Sequence, residues 1–588
     1  MTFIKTHKIL LGLLVAAVLL SLVPVAQAWL LIGDAWRGVP QGYLDEIIYY
    51  SHIKEVGTGN LFFGNPYLLE HRFDPPLVIF GSDVLAAIPL LLGLPLVPAL
   101  MLNFMLWSAI FCGLYYRLFR EFALSKWLSA SVALFAYVQS YDQVFRASVR
   151  QEVFPFLILF YISLIRFLKR PEDRVSVIFL GLSAGITFYI YGFLWQTAVG
   201  TLGILALYAL TTRQWRLLRG TLLASVLGGA VGAPPFFYTL WVTQQPYFWD
   251  SINRFGLVHT RLPMAEIIYS GAWVGVVLAM CAALYWFVPA MHKDRTSRTV
   301  LLFLGVTGVA LWILQGSNFF TGQLLEIGEH IRRFIALWLP LATVLSVALA
   351  WRYRQYLSGV RRGLVVLAVV ALAGANLYFG YRYVSPFIYV GAQRESWIEQ
   401  QRYAAPLAWL QANEPDPVVV WGNPHRNAVA HVPVLTRHYV LYEEPTQYML
   451  LSNDEIRERY LVSSYFDEVT PQTLKDSFVI YMGRANSYHL PKTIERGIKI
   501  CRILHFYDGG KSCGVAPTPI ELLGDTLFED LAVKFTSDIR PHVKEYLKKY
   551  RVSYILKDVK LDRQYHPEEL GAARVYNDGG FELWKLAL

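Results

Sequence analysis

An acidic pair opens the stretch Gly42-Tyr43-Leu44-Asp45-Glu46-Ile47-Ile48-Tyr49-Tyr50, which follows the first long apolar segment of the chain. Asp45 and Glu46 therefore lie where a membrane-spanning segment ends and the chain re-enters water. Two interpretations are open at this point. The carboxylates complement the positive end of a helix that starts here, or one of them takes a proton from a substrate hydroxyl at the membrane surface.

The composition is that of a membrane protein. Of 588 residues, 55% are hydrophobic and 16% are charged, and the mean hydropathy is +0.38, whereas ordinary soluble domains have about 25% charged residues. The formal net charge of +10 would suit nucleic-acid binding. However, the Lys and Arg residues lie between apolar segments, as the positive-inside rule predicts. We therefore predict a polytopic membrane protein that does not bind nucleic acid.

A helix crosses the hydrocarbon core with about 20 apolar residues, and this length predicts eleven spans. The first apolar run resembles a secretory signal, because Lys5 and Lys8 precede it and Ala26-Gln27-Ala28 follows. We interpret it as a retained span because it continues to full crossing length. The predicted spans are residues 9–32, 98–119, 127–139, 152–168, 175–191, 193–211, 220–241, 268–290, 299–315, 334–350 and 363–381.

A further apolar stretch, Leu77–Leu96, decides the orientation of the chain. It contains Asp83 and two prolines. If it does not cross, all loops rich in Lys and Arg fall on one side, which is then the cytoplasm. We therefore predict interfacial helices over Pro75–Leu96, a first outer loop of about 33–97, and a cytoplasmic N-terminus. The protein is expected in the cell membrane, the inner membrane where there are two.

The last part of the chain, residues 383–588, differs in composition from the membrane module, residues 1–382. Alternating residues around Asn577-Asp578-Gly579-Gly580 predict a hairpin, and Ser537-Asp538 can cap a helix through Lys549. We expect a small extracytoplasmic α/β domain. Short strands are predicted at Val418–Trp421, Phe478–Tyr481 and Ser553–Leu556.

Nucleotide and zinc chemistry have no support in the sequence. There is no P-loop, His-Glu-x-x-His or Cys-x-x-Cys pattern. Cys501 and Cys513 flank a turn, and both a disulfide and two free thiols fit that arrangement.

Arginine is unusually frequent in the predicted outer loops, against the orientation rule. Examples are Arg146 and Arg150 after the third span, and Arg332 and Arg333 before the tenth. Arginine's forked donors match phosphate oxygens, so these residues suit a lipid phosphate. The alternative for Arg332 and Arg333 is a pair that snorkels to the headgroups at a helix end.

Two further carboxylates, Asp142 and Glu152, fall in the second outer loop. They can ligate Mg²⁺ or Mn²⁺, or orient the neighbouring arginines. The structural alternative for Glu152 is a helix N-terminal acid that pairs with Arg150. A divalent cation is thus an open expectation.

The residues resemble those of a known superfamily. An acidic pair in the first outer loop with Tyr49 after it, the element Phe73-Asp74-Pro75-Pro76-Leu77 before an interfacial helix, and a C-terminal soluble domain resemble the GT-C superfamily of polyprenyl-phosphate-dependent glycosyltransferases. Its members include protein O-mannosyltransferases and the lipid A aminoarabinose transferase. The resemblance covers residues 1 to about 382 in layout. The chain lacks the Trp-Trp-Asp motif of oligosaccharyltransferases, because Phe248-Trp249-Asp250 stands in its place.

The resemblance implies a role for each part of the site. Asp45 would act on the acceptor with Glu46 beside it, and Asp142 or Glu152 would assist. Implied partners are a polyprenyl-phosphate sugar donor, the lipid bilayer, and an acceptor glycan, lipid or protein. Arg332, Arg333, Arg146 and Arg150 would bind the donor phosphate, and Tyr49, His71, Arg72, His259 and His330 would line the substrate.

These observations predict transfer of a sugar to an acceptor hydroxyl at the outer membrane surface, with inversion. Two alternatives stay open. A transporter or flippase for a lipid-linked substrate would place ionisable residues within the spans, where Asp83 is the main candidate. A non-catalytic scaffold would use the C-terminal domain to bind partners.

Overall fold

Helices dominate the computed structural model, which describes residues 2–40, 44–77, 81–140, 149–264, 267–324, 327–388, 394–426, 428–505, 507 and 511–587. In the membrane module, two strands, β1 (Val258–His259) and β2 (Gln323–Leu324), pair antiparallel. Four-residue helices lie at Ala290–Lys293 and Asn318–Thr321. The main helices are α1 (Thr2–Ile32), α2 (Leu44–Gly57), α3 (Gly81–Leu91), α4 (Leu96–Glu121), α5 (Lys126–Gln139), α6 (Val149–Lys169), α7 (Arg174–Ile190), α8 (Gly192–Thr211), α9 (Trp215–Val242), α10 (Phe248–Phe255), α11 (Ala272–Phe287), α12 (Arg295–Gln315), α13 (Ile327–Arg352) and α14 (Gly359–Ile388).

Nine helices in the described part of the chain are long and apolar enough to cross a membrane. They are α1, α4, α6, α8, α9 and α11–α14, and each overlaps a predicted span. The other two predicted spans correspond to α5 and α7, which have 14 and 17 residues. The protein is thus a multi-pass helical membrane protein. The total of eleven crossings and their orientation stay predictions.

Helix α3 occupies the stretch that was predicted not to cross. It has 11 residues and is about 16 Å long at 1.5 Å per residue, which is too short for a hydrocarbon core of about 30 Å. It packs against α2 and α4, and the Asn103 side-chain amide donates to the Ala86 carbonyl at 2.7 Å. The predicted first outer loop therefore contains a pair of helices, α2 and α3, held against the bundle.

The C-terminal region forms a five-stranded sheet surrounded by helices. The strand order is β4-β3-β5-β7-β6, with β3 parallel to β4 and β5, and β7 antiparallel to β5 and β6. The strands are β3 (Val419–Trp421), β4 (Tyr439–Val440), β5 (Val552–Asp558), β6 (Ala573–Asn577) and β7 (Phe581–Lys585). The helices are α15 (Arg394–Gln401), α16 (Ala404–Asn413), the short helix Val432–Leu435, α17 (Asn453–Ser463), α18 (Pro471–Asp476), α19 (Phe478–Arg484), α20 (Leu490–Leu504), α21 (Pro519–Leu523), α22 (Asp525–Lys534) and α23 (Val543–Lys549).

This domain confirms most of the predicted elements. The strands at Val418–Trp421 and Ser553–Leu556 and the C-terminal hairpin are present. The strand predicted at Phe478–Tyr481 is wrong, because this segment is helix α19, where the Tyr481 hydroxyl donates to the Leu474 carbonyl. A run of four apolar residues fits a buried helical turn as well as a strand.

Two other predictions in the C-terminal domain have different outcomes. The helix predicted from Ser537 through Lys549 is interrupted: α22 continues into a π-helical turn at Phe535–Ile539, and α23 starts only at Val543. Cys501 and Cys513, whose state was left open, form a disulfide with an S–S distance of 2.07 Å.

The first outer loop shares a hydrophobic core with the C-terminal domain. Tyr67 and Leu68 are fully buried among residues of that domain, and the backbone N–H of Val440 donates to the Tyr67 carbonyl at 2.7 Å. A domain boundary near residue 382 stays a prediction, but this loop belongs spatially to both parts.

Arg254 of α10 also joins the two parts. Its buried guanidinium donates to the carbonyls of Gln447 and Leu451 and to the side-chain oxygen of Asn453, at 2.7–2.8 Å. Burial lowers the pKa of Arg254 to about 10, a value that leaves the guanidinium charged at neutral pH. The C-terminal domain is therefore clamped to the membrane module by a charged group with satisfied donors.

A chain of ion pairs completes this contact. The His71 ring lies 2.6 Å from Asp74 through Nδ1 and 2.9 Å from Glu455 through Nε2. Arg459 links Glu455 to Glu70 at 2.9 and 3.1 Å. Burial opposes both charges, yet the bonds to Asp74 and Glu455 raise the pKa of His71 to about 9, and the bonds to His71 and Arg459 lower the pKa of Glu455 to about 2.

The stability that this ion pair contributes depends on pH. The ordinary pKa of histidine is 6.5, so the His71 contribution is complete below that pH and is lost as the pH rises to about 9. The ordinary pKa of Glu455 is 4.5, so its contribution is lost as the pH falls from 4.5 to about 2. We expect the difference in unfolding temperature between the wild type and His71→Gln to be largest between pH 4.5 and 6.5.

Scanning fluorimetry of the purified protein across this pH range measures that difference. The control is His259→Gln, because His259 is an exposed histidine of the membrane module. A His71→Gln difference that persists unchanged above pH 9 would contradict the ion-pair assignment.

Candidate functional site

The site is built on α2, the helix that begins at the acidic pair. Positions 45, 49 and 52 follow the spacing i, i+4, i+7 and share one helix face. His52 is buried, and its Nδ1 lies 3.1 Å from Oδ2 of Asp83, which has no exposed surface. The two helices of the first outer loop are thus joined through a buried histidine–aspartate pair.

Glu152 lies near this pair at the start of α6. It is fully buried, and neither of its carboxylate oxygens has a hydrogen-bond partner among the described residues. The charge of Asp83 acts on Glu152, and Asp83 Oδ1 likewise has no partner there. Because nearly all buried polar atoms in proteins are hydrogen-bonded, these three oxygens indicate a place kept for a substrate, an ion or water.

Basic groups gather at the first turns of α13. Nδ1 of His330 shares a hydrogen bond with the Tyr191 hydroxyl and lies 3.3 Å from Nη1 of Arg333. The His330 ring stacks on Phe193 at 4.3 Å between ring centroids. Arg332, which directly precedes Arg333 in the chain, is half-buried. His330 is therefore oriented by an aromatic ring and a hydroxyl, with the Arg333 guanidinium beside it.

The elements that carry the acidic and basic groups contact the same end of α7. Gly81, the first residue of α3, packs so closely on α7 that an added Cβ would lie 2.2 Å from the Tyr189 carbonyl oxygen. Two residues later, Tyr191 reaches His330 of α13. The carboxylates of α3 and α6 and the arginines of α13 therefore occupy one end of the helical bundle.

Several predicted site residues are engaged elsewhere. His71 binds Glu455 of the C-terminal domain, and the Arg72 guanidinium lies over the Phe73 ring at 4.5 Å. His259 is exposed in β1, opposite Gln323. Tyr49 is half-buried, with its ring edge-on to His52 at 6.4 Å. Of this predicted substrate lining, Tyr49 and His330 contact the groups described above.

Other predicted residues fall outside the described part of the chain. These are Asp142 and Arg146, and the side chains of Asp45 and Arg150. Glu46 is described and is buried, at 7% exposure. The roles predicted for these residues stay predictions.

Sequence reasoning missed the partner of Asp83. His52 was not singled out, although it lies seven positions after Asp45 and so two helical turns along the same face. A lone histidine on a mostly apolar helix gives no stronger signal. Gln151 was also missed, because a single glutamine gives no stronger signal. Its side-chain nitrogen and oxygen are both buried without partners among the described residues.

A divalent cation would need further ligands. Asp83 and Glu152 present carboxylate oxygens of the kind that Mg²⁺ and Mn²⁺ prefer. Among the described residues, the one group of three metal-ligating side chains within 4.8 Å is Cys501, His505 and Cys513, and its cysteines are bonded to each other. The two carboxyl groups therefore fit a cation in donor type, but no third metal-ligating side chain lies with them among the described residues.

Fold and site together define a multi-pass helical membrane protein with a buried acidic cluster at one end of its helices. No protein-family model and no curated protein matches the sequence. Among solved structures, the chain is similar to the crystal structure of ArnT from Cupriavidus metallidurans bound to undecaprenyl phosphate. The identity is 14% over 74% of this chain and 85% of that chain, with a TM-score of 0.40. At this TM-score, the likeness does not assign a function.

If the Glu152 carboxyl binds a ligand, its burial lowers the stability of the ligand-free protein. We expect Glu152→Met to raise the unfolding temperature in the absence of substrate, because an unpartnered buried polar group costs about 1–3 kcal/mol and methionine has a similar volume. Scanning fluorimetry in detergent measures the change. The control Glu172→Met removes an exposed carboxylate that pairs with Arg216, and it should change stability little. A lower unfolding temperature for Glu152→Met would contradict this interpretation.

Proposed function

We propose that the protein is an integral-membrane glycosyltransferase that moves a sugar from a polyprenyl-phosphate donor to an acceptor hydroxyl at the outer membrane surface. The main supporting observation is the buried carboxylate pair, Asp83 and Glu152: Oδ1 of Asp83 and both carboxylate oxygens of Glu152 lack partners among the described residues. This pair adjoins the helix that begins with Asp45 and Glu46. Arginines on a neighbouring helix end supply positive charge.

The reaction needs one base and one anion site. Asp45 takes the proton of the acceptor hydroxyl, and the oxygen attacks the anomeric carbon of the donor sugar. The bond between that carbon and the phosphate oxygen breaks, and the polyprenyl phosphate leaves. Arg332, Arg333 and Arg146 stabilise the charge that develops on the phosphate. A single displacement inverts the configuration at the anomeric carbon.

The other groups position the base. His52 holds Asp83 and thereby fixes α3 against α2, while Glu46 and Glu152 set the charge around Asp45. A divalent cation held by these carboxylates and Asp142 would neutralise phosphate charge. Arg150 would contribute to the phosphate site from the second outer loop.

A second function has one observation in its favour. A buried histidine–aspartate pair next to membrane-spanning helices is also typical of a proton relay in a transporter, and His52 and Asp83 form such a pair. A transporter or flippase would move the lipid-linked sugar intact, whereas the proposed enzyme breaks the sugar–phosphate bond. A non-catalytic scaffold would do neither.

The base assignment is tested by Asp45→Asn. Loss of a general base typically slows a reaction by about 10²–10⁴-fold, so we expect transfer from a radiolabelled polyprenyl-phosphate sugar to fall by at least the lower value. The control Asp34→Asn removes an exposed carboxylate eleven positions earlier in the same loop and should retain activity. Full transfer by Asp45→Asn would exclude this residue as the base.

The phosphate assignment is tested separately by Arg332→Gln and Arg333→Gln. Removal of one donor to a developing anion costs about 10²–10³-fold in rate. We expect kcat to fall by that factor, and KM for the acceptor to change less than kcat. Arg261→Gln is the control, because Arg261 is exposed and binds the Phe319 carbonyl. Unchanged kinetics in both arginine variants would remove them from the donor site.

A further inference from the structure

A cavity of about 240 Å³ lies between the end of α4, the end of α6 and the start of α12. Helix α6 carries Glu152 in its first turn and ends at Lys169, which lines the cavity. Its 21 residues extend over about 30 Å, which is the thickness of a hydrocarbon core. The cavity is therefore at the other end of α6 from the buried carboxyl of Glu152, among the loops rich in Lys and Arg that are predicted to be cytoplasmic.

The inner wall of the cavity is apolar. Phe122, Ile165 and Val300 line it, and all three are buried. The Phe122 ring packs edge-on against the Phe303 ring, with 5.2 Å between their centroids, so this wall is part of the packed bundle. Such a wall favours a hydrocarbon group, which gains by leaving water, whereas it offers no hydrogen bond to an inorganic ion.

The outer rim of the cavity is polar and accessible to solvent. Arg295 and Thr296 are exposed, and Lys169 and Thr299 are half-buried. Nη2 of Arg295 donates to the Lys169 carbonyl at 2.7 Å, whereas the other N–H groups of Arg295 have no partner among the described residues. The guanidinium is thus held at the rim with donors left for a ligand.

Positive charge exceeds negative charge around the cavity. Glu121 is the carboxylate of the lining, and it pairs with three cations: Arg117 and Arg166 at 2.9 Å and Lys169 at 3.2 Å. One carboxylate compensates one of these charges. Arg295 adds a further cation, which has no carboxylate partner among the described residues. The cavity therefore attracts an anion.

We propose that this cavity binds the phosphate head group of an anionic membrane lipid, independently of the proposed transfer reaction. The unused donors of Arg295 match phosphate oxygens, as does the third N–H of Lys169, whose other two bind Glu121. The apolar wall matches the glycerol and the first methylene groups of the lipid. Asp294, the neighbouring carboxylate, is paired with Arg352 at 3.2 Å and does not cancel this charge. Basic pockets between membrane helices on the cytoplasmic side bind lipid head groups in this way.

Lipid binding is measured on the full-length protein in a non-ionic detergent by titration calorimetry. The probes are dioctanoyl phosphatidylglycerol, which is anionic, dioctanoyl phosphatidylcholine, which has the same chains and no net charge, and inorganic phosphate, which has no chains. We expect phosphatidylglycerol to bind about tenfold or more tightly than either of the other two, because it combines a net negative charge with hydrocarbon.

Two variants test the cavity itself. Arg295→Gln is expected to weaken phosphatidylglycerol binding about tenfold or more, because hydrogen bonds to charged groups are the strong ones. Its matched control is Arg298→Gln: Arg298 is also exposed, lies three positions further along α12 and does not line the cavity. Val300→Phe fills the cavity from the apolar wall and leaves every charge in place, and we expect it to weaken binding by a similar factor.

Four results would overturn the lipid assignment. Equal binding of both lipids would indicate attachment through the chains alone, and inorganic phosphate that binds as tightly as phosphatidylglycerol would indicate a site for a free anion. An equal loss in Arg298→Gln would indicate general attraction to a basic surface, and wild-type binding by Arg295→Gln would remove the cavity from lipid recognition. Unfolding temperatures distinguish lost binding from unfolding; the Arg295 side chain is exposed, so its replacement tests the site even where Val300→Phe does not fold.

Discussion

Burial of ionisable groups without full compensation is the constraint on which this structure depends. A charged or polar side chain removed from water needs a partner, and a half-satisfied group weakens the fold. His52 binds one oxygen of Asp83, whereas the other oxygen of Asp83 and both oxygens of Glu152 have no partner among the described residues. Because α3 carries Asp83 inward, that short helix cannot lie freely on the membrane surface. The bond to His52 fixes it to α2, and α2 in turn begins at the acidic pair.

The C-terminal domain explains part of the positive charge in the outer loops. Arginine in the predicted outer loops suits phosphate binding, but Arg254 instead fastens the domain to α10 through the carbonyls of Gln447 and Leu451. His71 and its carboxylate partners do the same for the first outer loop. A positive residue on the predicted outer side is therefore a phosphate candidate only if its donors are not already used by a carbonyl or carboxylate. Arg333 lies beside His330 near a helix end rather than in this clamp.

The sequence predicts best what the membrane itself imposes. A span must be a helix of nearly fixed length because lipid offers no hydrogen bonds to the backbone, so hydropathy located all nine of the long helices. Turn chemistry similarly revealed the hairpin around Asp578-Gly579-Gly580. The strand prediction at Phe478–Tyr481 failed because four consecutive apolar residues show no periodicity. The helix there is instead supported by contacts with distant residues such as Tyr442. The His52–Asp83 pair could not be predicted at all, since its members lie on separate helices and have no spacing rule to connect them.

The arginines of α13 are the more diagnostic half of the candidate site. Acidic residues at the start of α2 are favoured by the positive end of that helix, by about 0.3–1 kcal/mol each, so Asp45 and Glu46 are explained without any function. The helix end does not explain Arg332 and Arg333 in this way, because it favours acidic rather than basic side chains. Nη1 of Arg333 lies 3.3 Å from Nδ1 of His330 in the first turns of α13, so two basic side chains are held close together there. A phosphate bound between them would accept hydrogen bonds from the guanidinium and offset its positive charge. The charge at this end of the bundle thus favours an anionic ligand, and the polyprenyl phosphate of the proposed transfer would be an anion of that kind.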